Sequence, residues 1–238
     1  EKLSALAKAL AAAVPDVGSI AGPVVASLGP EAAAVAEDLL GCRSAITGLN
    51  VESAKGVFGC LKTVLKGAAS AMQDAVPRLL KADDPIFRGD VISTGREARL
   101  EMKMLDDAVV TLGEKTVFVV IDYVAGGAAP SVAMRLIEGA FATSAGAIAK
   151  APGGSMRIET DVATIGIRGT SFWGGKLDGD FQIALLSAGR IVVENRAGRT
   201  EITRPGDGTL IKGQGVAPTA PKLWHTGMLD RAKLTVAF

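Results

Sequence analysis

Glu159-Thr-Asp-Val-Ala-Thr-Ile-Gly-Ile-Arg-Gly-Thr-Ser-Phe-Trp173 decides how this chain is read. Ile165 and Ile167 alternate with Gly166 and Arg168, which gives a strand with one apolar and one polar face. Gly169 follows at once. It permits a positive φ or a bulge and lets a neighbouring strand come close. Arg168 carries a planar fork suited to loop carbonyls or to a carboxylate. The residue types thus describe a strand that turns a corner rather than a catalytic constellation.

Outward from this stretch, β signals dominate toward both ends. Arg99-Leu-Glu-Met-Lys-Met-Leu105 alternates polar and apolar, Asp106-Asp107 turns, and Ala108-Val-Val-Thr-Leu112 resumes. Val117-Phe-Val-Val-Ile-Asp-Tyr-Val124 is a long β-prone run that Gly126-Gly127 breaks. Further strands are expected at 131–137, 139–144, 156–160, 163–167, 181–187, 190–195, 199–203 and 209–211. Gly or Asp marks most joints, among them Gly174-Gly175, Asp178-Gly179-Asp180 and Gly206-Asp207-Gly208. This spacing predicts an all-β domain, β-solenoid-like or a sandwich, over 83–238. The tail from 230 to 237 fits a short helix or a last strand equally well.

Residues 1–82 read differently. They are Ala-rich, and Leu3, Leu6, Leu10 and Val14 recur at helical spacing. A second helix is expected over about 31–42, opened by Pro30 and Glu31. A third is expected over about 51–76, with Val57, Leu61, Val64, Leu65, Ala68 and Met72 on one face. Lys55, Lys62 and Lys66 would share another face, as a solvated surface or a basic stripe. The domain expectation is therefore a helical region at 1–82 before the β domain at 83–238.

Composition narrows the function. The chain has 238 residues, net charge +1 and 4% aromatic residues. A near-neutral, ring-poor chain is a poor fit to nucleic acid. The apolar stretch from Leu3 to Val14 is interrupted by Lys8 and too short to span a bilayer. His225 is the sole histidine, and neither H-x-x-x-H nor C-x-x-C occurs, so no metal site of ordinary type is expected. Phosphate-loop and dinucleotide fingerprints are also missing. Ala142-Thr-Ser-Ala-Gly146 lacks the first Gly of a nucleophile elbow. Asp178-Gly179-Asp180 reads as a hairpin tip, Arg88-Gly89-Asp90 as a structural turn, and Trp224-His225 as a packed tail anchor. The expectation is no catalytic residue, no cofactor and no metal.

Several segments together resemble the FecR domain family over about 84–237. Phe87-Arg-Gly-Asp-Val-Ile-Ser-Thr-Gly95, with Gly89, Asp90, Thr94 and Gly95, is similar to the family's opening turn. Leu136-Ile-Glu-Gly-Ala-Phe141 resembles its mid-domain strand. Thr160, Ala163, Arg168, Gly169, Thr170 and Phe172 resemble its longest motif, and Leu185-Leu-Ser-Ala-Gly-Arg-Ile-Val-Val193 a later strand. Asp161 stands where the family usually has Pro, and Asp107-Ala108 replaces its usual Asp-Gly. The resemblance implies an extracytoplasmic, periplasmic domain similar to stand-alone exported FecR-domain proteins of proteobacteria. Its implied role is a non-enzymatic structural or adaptor protein of the cell envelope, with other envelope proteins or further copies as partners. The alternative it implies is the periplasmic signalling module of a regulator of sigma-factor activity or iron uptake. In an extracytoplasmic setting Cys42 and Cys60 suit a disulfide; two buried free thiols are the other reading.

Overall fold

The computed structural model describes residues 57–59, 64–125 and 128–238. The helices expected before residue 43 and the pairing of Cys42 with Cys60 lie outside the described residues.

Nineteen strands are described: β1 (Val57–Gly59), β2 (Val64–Lys66), β3 (Ala69–Gln73), β4 (Val76–Leu79), β5 (Ile86–Phe87), β6 (Val91–Thr94), β7 (Arg99–Lys103), β8 (Val109–Leu112), β9 (Val117–Val124), β10 (Ser131–Glu138), β11 (Ala140–Ser144), β12 (Ser155–Glu159), β13 (Thr164–Arg168), β14 (Ser171–Leu177), β15 (Asp180–Leu185), β16 (Arg190–Asn195), β17 (Gly198–Ile202), β18 (Asp207–Ile211) and β19 (Lys222–Leu223). Two helices accompany them, α1 (Ala147–Lys150) and α2 (Thr226–Leu234).

The strands form two large sheets. One holds nine strands in the order β17-β16-β13-β12-β10-β9-β6-β3-β4, the other eight in the order β19-β18-β15-β14-β11-β8-β7-β2. β1 and β5 make a small separate pair. The chain visits the two sheets alternately and, after the β3–β4 hairpin at one edge, advances along both in one direction, so sandwich and solenoid-like order coexist. Among the described residues β10 with β12 is the only parallel pair. The α1 segment lies in that crossover, as a parallel connection requires.

Alternation puts one apolar row of each strand between the sheets. Ile165 and Ile167 from β13 face Phe141 and Phe172 from the other sheet, all essentially without exposure. Phe141 sits between Phe118 and Phe172, with ring centroids 5.9 and 5.4 Å away. A smaller core lies on the outer face of the eight-stranded sheet. There Trp173, Ala184 and Trp224 meet Ala232 and Val236 of the C-terminal segment. β14 is thus buried on both faces, Phe172 inward and Trp173 outward.

The third helix expected over 51–76 is corrected in its described part: residues 64–66, 69–73 and 76–79 are strands. The residues expected to end the helical region at 82 therefore include three strands paired into the same sheets as the later ones. The apolar positions suit both periods here. Ala69 and Ala71 point inward, and Ala71 pairs with the buried Ile92 of β6. The β3–β4 connection is Asp74-Ala75, both in the left-handed region at φ 49° and 63°. Such a two-residue turn matches the twist of a hairpin. Lys66 consequently lies on the strand β2, not on a helical basic stripe.

That turn yields a signed prediction. An alanine in left-handed backbone costs about 1–2 kcal/mol, and glycine pays little of it. Ala75→Gly is expected to raise stability by about 1 kcal/mol in urea unfolding. In a helix the same change would lower it by about the same amount, so the sign reports the hairpin directly.

Candidate functional site

The residues quoted for the family do not converge on one cleft. They hold three separate joints of the framework.

The first joint is Gly89-Asp90. Gly89 has φ 89°, and its N–H donates to the Val120 carbonyl at 2.8 Å. Asp90 is fully buried, and its carboxylate accepts from the Phe87 N–H at 2.7 Å and from both Nη groups of Arg78, Nη1 at 2.8 Å. Arg78 also donates to the Pro85 carbonyl at 2.9 Å and stands 5.0 Å over the Phe87 ring. One guanidinium of β4 therefore locks the turn that opens β6. Sequence reading missed Arg78 because it lay where a helix was expected to end.

The second joint is Thr94-Gly95. Thr94 is buried, donates its hydroxyl to the Gly113 carbonyl at 2.6 Å and accepts from the Thr116 N–H at 2.9 Å. The Gly95 N–H donates to the Ala68 carbonyl at 2.8 Å. This is where the chain leaves the nine-stranded sheet.

The third joint is the segment from 160 to 172. Thr160 N–H donates to the Ala163 carbonyl at 2.9 Å, its hydroxyl donates to the same carbonyl at 2.8 Å, and that hydroxyl also accepts from the Ala163 N–H at 3.0 Å. A two-residue tip, Asp161-Val162, is left between β12 and β13. Arg168 ends β13 and donates Nη1 to the Gly154 carbonyl at 2.8 Å. Gly169, at φ 60°, carries the chain across to β14 in the other sheet. Thr170 then donates to the Ser187 carbonyl at 2.8 Å, and its own carbonyl receives the Ala145 N–H at 2.9 Å. Gly189 packs against this corner, where an added Cβ would sit 2.6 Å from the Thr170 Cβ and 2.8 Å from the Gly169 carbonyl oxygen. Gly169 itself has room, the nearest atom being Lys150 Cγ at 3.4 Å. Gly169→Ala is therefore expected to cost backbone strain alone, about 1–2 kcal/mol, read as a lower urea midpoint with an unchanged slope.

Residues 90–196 match the family described as FecR protein. The chain carries a FecR domain. Two crystal structures of a candidate anti-sigma factor from Parabacteroides distasonis ATCC 8503 are similar to it, at 15% and 16% identity with TM-scores of 0.47 and 0.45. Each alignment covers 58% of this chain and 61% of that one. No curated protein matches the sequence.

Two departures from the FecR pattern have a structural reading. Asp161 is the first residue of the two-residue tip and is exposed, so the position sets a turn without filling a core. In the other, the left-handed residue is Asp107 at φ 63°, not Ala108. Its N–H donates to the Met104 carbonyl at 3.0 Å. Asp106 is busy: its carboxylate accepts from the Ile148 N–H at 3.1 Å, the Ala108 N–H at 3.3 Å and the Tyr123 hydroxyl at 3.2 Å. Burial and the adjacent Asp106 push the Tyr123 phenol above its usual range.

The remaining candidates lie away from these joints. His225 caps α2, its Nδ1 accepting the Met228 N–H at 3.2 Å. Trp224 beside it packs 6.1 Å from Trp173. Asp178, at the β14–β15 tip, pairs with Arg231 of α2, which holds its carboxyl below the usual range. Among the described residues no cluster of three or more metal-ligating side chains occurs, and no helix is long and apolar enough to cross a membrane. The outer face of the nine-stranded sheet bears charged rows: Arg135 and Arg157 both reach Glu159, and Arg190 reaches Glu201 at 3.4 Å. The Arg135 hydrogen bond is the main cause that holds the Glu159 carboxyl low.

Proposed function

We propose that this chain supplies the extracytoplasmic β module of a FecR-type signalling regulator, a non-enzymatic domain that acts by binding other proteins. The observation that carries the reading is the FecR match over 90–196, laid on a framework whose signature residues are engaged in its joints. Arg168, Thr170, Asp90 and Thr94 hold carbonyls, amides and one guanidinium. They are accordingly assigned a structural role, and signalling is assigned to the outer faces and sheet edges. In such a regulator the module would sense an envelope partner and pass the state on to a sigma factor or an iron-uptake system.

A scaffold reading, in which the chain assembles with other envelope proteins without relaying a signal, draws on one feature. Among the described residues β4 is an edge strand and exposes Val76 and Leu79, at 68% and 77%, and an apolar edge suits assembly. Deleting the reading frame and profiling transcripts separates the two. The regulator reading expects a coherent set of promoters to change. Unchanged transcripts, together with loss of an envelope complex of defined mass, would replace it with the scaffold.

A further inference from the structure

We infer that Arg157, Arg168 and Arg190 form a carboxylate-binding site for an acidic segment of a partner protein, on the outer face of the nine-stranded sheet. Ile165 and Ile167 are buried, so Gly166 and Arg168 of β13 face outward. The same alternation turns Arg157 of β12 and Arg190 of β16 outward. Register places Arg168 directly opposite Arg190, and Arg157 directly opposite Gly166. Three guanidinium-bearing positions therefore surround a residue with no side chain. A Cβ built at Gly166 meets nothing closer than the Val192 carbonyl oxygen at 3.9 Å, so the floor is open.

Charge matching elsewhere on this face makes the cluster stand out. Arg135 lies opposite Glu159, and Glu194 opposite Arg199. Opposite charges across strands are favourable, and like charges directly opposite are unfavourable. Arg168 against Arg190 breaks that rule. Among the described residues Arg168 has no carboxylate within ion-pair distance; its Nη1 goes to the Gly154 carbonyl. Arg190 has only the long 3.4 Å contact to Glu201, with half its side chain exposed, and Arg157 spends a single Nε contact, 3.3 Å, on a Glu159 that Arg135 already holds. An incoming carboxylate relieves the repulsion and meets donors in fork geometry. Glu159, Glu194 and Glu201 ring the site, which disfavours a uniformly anionic surface such as a membrane or nucleic acid. A protein segment with isolated acidic side chains fits both features. The site stands on sheet register alone, whichever of the two readings of function holds.

The test follows the arginine Nε–Hε resonances of the full chain by NMR while an end-blocked peptide of alternating Glu and Thr is added. A Gln/Thr peptide and phosphatidylglycerol vesicles serve as the other arms. The expected result is that the Glu peptide shifts the resonances of Arg157, Arg168 and Arg190 in preference to the other arginines. The shift should vanish in roughly 1 M salt, where the screening length is about 3 Å. Arg190→Gln should weaken binding about tenfold. Glu201→Gln, which releases Arg190, should strengthen it a few-fold. Equal response to the neutral peptide, response to vesicles in preference to peptide, or indifference to Arg190→Gln would each overturn the proposal.

Discussion

Trp173→Ala is expected to lower stability by about 3–5 kcal/mol and to detach the C-terminal helix in the same step. Trp173 is fully buried, yet it points away from the main core. Its ring meets Trp224 edge-on, and its Nε1 donates to the Thr235 hydroxyl at 2.9 Å. Truncation removes a large apolar area and the indole donor to Thr235, whose hydroxyl keeps only its bond to the Ala232 carbonyl at 2.6 Å. The inner core, built by Phe172 and its neighbours, keeps its own contacts. Hydrogen exchange should therefore show early loss of protection in 226–234, with 164–168 protected up to the lowered global limit. Uniform loss across both segments would mean that α2 and the sandwich form one cooperative unit.

Arg78→Ala is the second large effect, about 3 kcal/mol or more. The cost comes from the partner left behind. Asp90 has no exposure and would keep only the Phe87 amide among its donors. Removing one member of a buried ion pair typically costs about 3–5 kcal/mol. Arg78 is 29% exposed, which places the expectation at the low end. The double variant Arg78→Ala with Asp90→Ala should recover part of the loss, because no charge then remains buried. A double variant as unstable as the sum of the singles would show that packing, not the unpaired carboxylate, sets the cost.

Much of the β framework was legible because its strands alternate cleanly. Residues 99–105, 108–112, 117–120 and 190–193 each bury every second side chain, and the expected strands overlap β7, β8, β9 and β16. β14 was missed for a physical reason. Gly174 and Gly175 read as a joint, but they lie inside the strand because neighbours come too close for side chains. A Cβ at Gly174 would stand 2.8 Å from the Phe141 ring, and one at Gly175 2.6 Å from the Ala140 Cβ. The β3–β4 hairpin was missed because Asp-Ala is a poor sign of a left-handed turn. The tail resolved into a helix, capped by His225. The FecR signature was recognisable as a run of residues, whereas its joints depend on distant partners such as Arg78, Gly154 and Ser187. The basic cluster on the outer face was invisible until register set Arg168 against Arg190.

The strand order of the two sheets bears on how the molecule carries load. Apart from β4, which lies outside β3, both sheets add strands in chain order, yet the C-terminal segment crosses back over the stack, where Arg99 of β7 donates to the Ala237 carbonyl at 3.1 Å. Tension applied at the C-terminus falls first on the Arg99 bonds to the Ala237 and Leu234 carbonyls, then on α2 and the β18–β19 pair, the latter only two residues long. The C-terminal segment is therefore a strap: it ties the last-made end of the stack to an early strand, and pulling on it loads both at once.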